Sequence, residues 1–121
     1  MPIQLGTTLR CCVRPRHIWI VLSDPGQHDG TFLFVNLTSV GGTCADTSCI
    51  LTEADYSDLA RETTVAYSRA HIGNSFALER AIQNGYFTEL EPLPRPALEK
   101  VINGARSSPH LSAVKKALLP D

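Results

Sequence analysis

No stretch of the chain approaches the roughly 20 apolar residues that a membrane-spanning helix needs. Nor do the first residues, Met1-Pro2-Ile3-Gln4-Leu5-Gly6, set a basic segment ahead of an apolar one, as a secretion signal does. A cytoplasmic protein without membrane contact is the expectation. Low-complexity tracts are missing too. With 43% hydrophobic and 19% charged residues in 121, the composition excludes a disordered chain and suits one hydrophobic core, hence a single domain over residues 1–121. Net charge is scarce, at −1. That excludes a protein that coats nucleic acid with its whole surface, and it leaves room for a local patch. Residues 1–23 offer one, with Arg10, Arg14 and Arg16 and no acid, whereas residues 24–62 hold seven acids against Arg61.

Paired-cysteine motifs are absent as well. Cys11, Cys12, Cys44 and Cys49 contain no CxxC, and without a secretion signal they read as thiols rather than disulfides. Cys44 and Cys49 would bind zinc only if the fold brought Cys11, Cys12 or His17 to them. The spacing is not that of a zinc knuckle, so neither a metal nor another cofactor is expected.

What is present is a pair of runs rich in β-branched and aromatic residues. His17-Ile18-Trp19-Ile20-Val21-Leu22-Ser23-Asp24-Pro25 and Thr31-Phe32-Leu33-Phe34-Val35-Asn36-Leu37-Thr38-Ser39 flank a link of turn formers, Pro25-Gly26-Gln27-His28-Asp29-Gly30. The pattern predicts a β-hairpin. Its middle is apolar on both faces, while His17, Ser23, Asp24, Asn36 and Thr38 lie near the ends, so the middle is buried and a site belongs at the tips. Asp24-Pro25 most simply starts the turn.

Around the hairpin, residues 3–13 alternate loosely and predict one or two short strands, ended by Arg14-Pro15-Arg16. Thr47-Ser48-Cys49-Ile50-Leu51 reads as another short strand, and Thr52 caps a short helix to about Ala60. Residues 63–72 read as one strand with Val65, Tyr67, Arg69 and His71 on a common face. That face holds an anion or polar ligand, or simply faces solvent at a sheet edge. The period then becomes helical. Ser75 caps residues 76–84, which end at Gly85 and carry a stripe of Phe76, Leu78, Ala81 and Ile82. A proline-rich linker at 91–96 leads to a helix from Ala97 to about Ala105, and Ser108-Pro109 opens a last helix with Leu111, Val114 and Leu118 inward. Lys115 and Lys116 sit near its C-terminus, where the helix dipole favours them. The fold class is α+β, mainly β: a small barrel or curled sheet of five or more strands over residues 1–73, with two or three C-terminal helices over 74–121.

Ile20-Val21-Leu22-Ser23 followed by Val35-Asn36-Leu37-Thr38-Ser39 resembles the strand pair of the MazF/PemK superfamily of bacterial growth-inhibitor toxins, which share an SH3-like barrel. The fuller pattern H-x-W-x-V-x-S-D-P with V-N-x-T-S, and later V-x-Y-x-x-A, is similar to a divergent bacterial branch of that barrel. The resemblance covers about a fifth of the chain firmly, and the C-terminal helices have no counterpart in the short toxins. It implies metal-independent cleavage of single-stranded RNA, a homodimer and an antitoxin protein as partner. Thr38 matches the family's threonine. Where the family has an arginine this chain has His17, with Arg16 one residue earlier and on the opposite strand face.

Two readings of these residues stand. In the enzyme, His17 and Thr38 are catalytic, histidine being the residue type that exchanges protons near neutrality. Arg14, Arg16, Ser39, Asn36, Tyr67, Arg69 and His71 then bind RNA or its phosphates, His71 being a second acid or base and the arginines steadying the pentacoordinate phosphate. In the alternative, the barrel is a non-catalytic module for a protein or peptide partner. His17 then packs on Trp19 and hydrogen-bonds Asp24 or Asn36, while Asn36 and Thr38 serve strand ends.

Overall fold

The computed structural model describes residues 3–41 and 46–120. Among the described residues there are seven antiparallel strands: β1 (Thr8–Cys11), β2 (Ile18–Val21), β3 (Thr31–Ser39), β4 (Ile50–Leu51), β5 (Thr63–Val65), β6 (His71–Asn74) and β7 (Phe87–Glu89). They run in the order β4-β5-β3-β2-β1-β7, with β6 also on β3. Three helices follow or interrupt them: α1 (Ser75–Gln83), α2 (Arg95–Ser107) and α3 (Ala113–Lys116). The fold is α+β and mainly β, a small barrel-like sheet with helices in its C-terminal part. Among the described residues no helix is long and apolar enough to cross a membrane.

The hairpin forms as its sequence implies. β2 and β3 pair antiparallel with Trp19 opposite Asn36, Ile20 opposite Val35 and Val21 opposite Phe34. Asp24 starts the link, its Oδ1 accepting the Gly26 N–H at 2.9 Å. Alternation along β3 then feeds two cores. Leu33, Val35 and Leu37 join Ile18, Ile20 and Leu22 in the larger one, which α2 covers with Ala97, Val101, Ile102 and Ala105. Phe32 and Phe34 join Leu9 and Val21 in the smaller one, which Leu78 of α1 covers.

β3 is long enough for two strands to share one of its edges. β6 takes Thr31 to Phe34 and β5 takes Leu37 to Ser39. The single strand expected over 63–72 is therefore two, broken by a 3-10 turn at Tyr67–Arg69. Tyr67 causes the break: its ring is fully buried and its hydroxyl donates to the Val101 carbonyl of α2 at 2.6 Å. A buried phenol needs such an acceptor, and α2 supplies it.

Three further expectations change. Residues 52–60 form turns rather than a helix, because Asp55 accepts both the Thr52 N–H at 2.9 Å and the Lys100 ammonium of α2 at 2.8 Å while Tyr56 and Leu59 enter the core. The cap of α1 is Asn74, whose Oδ1 accepts the Ala77 N–H; Ser75 instead donates to the Gly30 carbonyl, and Phe76 points to solvent at 68% exposure. α3 is a single turn capped by Ser112, with Val114 outward at 72% exposure. Ser108 is occupied elsewhere, its hydroxyl donating to Asp46. Lys115 and Lys116 donate to the carbonyls of Ala70 and Arg106. The segment after residue 73 is also not purely helical, since β7 returns to pair with β1.

Gly104 is where α2 lies tightly against Tyr67 and Cys49. A Cβ there would lie 2.5 Å from the Tyr67 hydroxyl and 2.7 Å from Cys49 Cβ. Alanine ordinarily stabilises a helix by about 1 kcal/mol over glycine. Here overpacking of about 1–3 kcal/mol opposes that gain. Gly104→Ala is expected to lower the urea midpoint, and a raised midpoint would contradict the contact.

Candidate functional site

The open end of the hairpin gathers the charged residues. The Cys11 N–H donates to the His17 carbonyl at 3.0 Å, which carries the β1–β2 pairing one step past β2. A shallow cleft of about 290 Å³ opens there. Ile18, Leu37 and Leu59 are its apolar floor. Its walls come from four segments: Arg10 of β1, Arg16 and His17 before β2, Thr38 and Ser39 at the end of β3, and Asp58 with Arg61 before β5.

Strand register explains why three arginines converge. Arg10 faces Ile18 across β1–β2, and Ser39 faces Thr63 across β3–β5, so each pair shares a face. Arg16 lies two residues before Ile18, in the link to β2, and Arg61 two before Thr63, in the bend before β5, and both line the cleft. His17 and Thr38 alternate with them, on the face of Trp19 and Asn36, and so form the rim. The ion pairs among the described residues are Arg95–Glu99 and Lys100–Asp55, which leaves the cleft guanidiniums unpaired by carboxylates. Three cations against Asp58 make the cleft locally positive in a chain of net charge −1.

The remaining candidates lie outside the cleft. Arg14 is exposed on the link between β1 and β2, and Arg69 is exposed on the 3-10 turn. Tyr67 is sealed in the larger core, so it is not available to a phosphate, and it does not share a face with Arg69 and His71. Asn36 is buried opposite Trp19, and its Oδ1 accepts no hydrogen bond among the described residues. His71 is exposed and stands beside Trp19, ring centroids 5.5 Å apart. It thus occupies the place expected for His17. Asp24 is held at the turn end, the length of β2 away from His17, and does not reach it. Arg61 and Asp58 are charged cleft residues that were not expected there, while Arg10, expected in the basic patch of residues 1–23, forms one wall of the cleft. Arg61 carries the one available signal, as the single base within the acidic stretch 24–62.

The chain matches no protein-family model and no curated protein.

Metal chemistry finds no cluster here. Among the described residues no three His, Cys, Asp or Glu side chains are grouped to hold an ion, and Cys44 lies outside those residues. Cys11 ends β1 and Cys12 follows it, while Cys49 is buried against α2, where burial pushes its thiol up to about 11. Thiolate is the reactive form, so Cys49 is expected to resist iodoacetamide at pH 8 in the folded protein while the exposed Cys12 is alkylated. Peptide mapping by mass spectrometry checks this; equal labelling of both would contradict the buried placement.

Proposed function

We propose that this chain is a toxin-like, metal-independent endoribonuclease that holds the phosphodiester backbone of single-stranded RNA in the cleft at the open end of the hairpin. The observation that carries the reading is the convergence of Arg10, Arg16 and Arg61 beside His17 and Thr38. Guanidinium groups present paired N–H donors that match phosphate oxygens, and unpaired ones attract a polyanion. The resemblance of residues 17–39 to the MazF/PemK toxins supports the reaction. The ribose 2′-oxygen forms a bond to the adjacent phosphorus, the bond from phosphorus to the 5′-oxygen breaks, and a 2′,3′-cyclic phosphate remains.

In this mechanism His17 takes the 2′-hydroxyl proton or returns one to the leaving 5′-oxygen, standing where the family has an arginine. Arg16 and Arg10, which line the cleft within the rim that His17 forms, supply the positive charge that steadies the pentacoordinate phosphate. Thr38 orients the phosphate or the ribose from the rim, and Ser39 offers a further donor. A homodimer and an antitoxin protein belong to the same reading.

One observation favours a second reading. Asp58 places a carboxylate in the cleft, which repels phosphate and suits a basic side chain. A non-catalytic module for a protein or peptide partner would use it.

The test is incubation of the purified full chain with single-stranded RNA in EDTA. Fragments ending in 2′,3′-cyclic phosphate are expected, with none from a strand lacking the 2′-hydroxyl. His17→Ala is expected to slow cleavage about 100-fold or more, within the range of a lost general acid or base, at an unchanged melting temperature. Binding without cleavage would overturn the catalytic reading, and absence of both would exclude RNA as the ligand and favour the module for a protein or peptide partner.

A further inference from the structure

The face of the hairpin behind the cleft carries a supported aromatic surface. Trp19 is half-buried and stacks on Phe34, centroids 4.8 Å apart at 25°. Phe34 is itself held edge-on by Phe32 at 5.6 Å and by Phe87 at 6.1 Å. The indole is therefore fixed from beneath by a packed aromatic layer. Beside it the exposed imidazole of His71 lies 5.5 Å away and tilted by 33°. Its position follows from register, since His71 is the β6 residue opposite Phe34.

This surface and the cleft lie on opposite faces of the hairpin and meet at its open end. Trp19 is two residues along the chain from His17, and its cross-strand partner Asn36 is two residues from Thr38. Two residues of strand span about 7 Å, which is of the order of one nucleotide step in an extended strand. His17 and Thr38 stand between the arginine cleft and the aromatic pair.

We propose that Trp19 and His71 form a stacking platform for a nucleobase of the strand whose phosphates lie among Arg10, Arg16 and Arg61. The inference rests on the RNA reading of the cleft and adds to it the contact with a base. A polymer that alternates anionic phosphate with planar rings meets guanidiniums on one side of His17 and Thr38 and an aromatic shelf on the other. Every base has a π-face, so the platform adds affinity with little sequence preference. Because Phe34 already fixes the indole, little side-chain freedom is lost on stacking.

Trp19 is the only tryptophan in the chain, so its fluorescence reports this contact directly. The full chain is titrated with a 2′-O-methyl single-stranded RNA, which cannot be cleaved, and with the same strand made abasic at its central nucleotides. The base-bearing strand is expected to quench Trp19 and to bind about fivefold or more tightly than the abasic strand, which binds without quenching. His71→Ala, a change at an exposed site, is expected to weaken the base-bearing strand alone, by about threefold or more. Equal binding of both strands without quenching would overturn the platform and leave the RNA reading intact. Failure of both strands to bind would overturn both.

Discussion

The fold depends on β3 being buried on both faces and paired on both edges. Leu33, Val35 and Leu37 enter one core, Phe32 and Phe34 the other. A shift of one residue would exchange these sets and push aromatic rings into space shaped for aliphatic ones, so the register is fixed by packing rather than by turns. Four other features inherit that register. The β2 pairing places His17 and Arg16, the β5 pairing places Arg61, the β6 pairing places His71, and the end of β3 itself carries Thr38 and Ser39. The cleft and the aromatic shelf are thus two consequences of one strand alignment.

The hairpin was legible because two long apolar runs around a turn-forming link admit few alternatives. The helix over 95–107 was legible for a related reason, since Val101, Ile102 and Ala105 repeat at helical spacing and are all buried. The strand at 63–72 misled because its alternation is real but its middle residue, Tyr67, bonds to α2, and sequence periodicity carries no information about a partner 34 residues away. β7 has only three residues, Phe87-Thr88-Glu89, and its pairing to β1 is set by where α1 returns the chain. Val114 looked inward by spacing; with α3 reduced to one turn, it has no neighbour to bury it.

The candidate site divides along the same line. His17, Arg16, Thr38 and Ser39 were legible because they belong to the hairpin ends, and the structure gathers them. Arg10 was legible only as part of the basic patch of residues 1–23, and Arg61 was not placed, because nothing local marks a residue two positions before a paired strand residue. Asp58 reads as one more acid of an acidic stretch, yet it is the carboxylate that the cleft contains. Tyr67 was drawn into the site by the alternation that set it on one face with Arg69 and His71, and Asn36 by its place near a hairpin end; burial removes both from contact with a polyanion.

The central claim is that three arginines from three separate segments act together on phosphates, and the salt dependence of binding measures this most directly. For single strands each neutralised phosphate contributes a slope of about −0.7 in a plot of log affinity against log salt. Three contacts give about −2, and Arg61→Ala, which lies outside the hairpin, lowers the magnitude by about 0.7. A slope near zero, or one that Arg61→Ala leaves unchanged, would contradict the account.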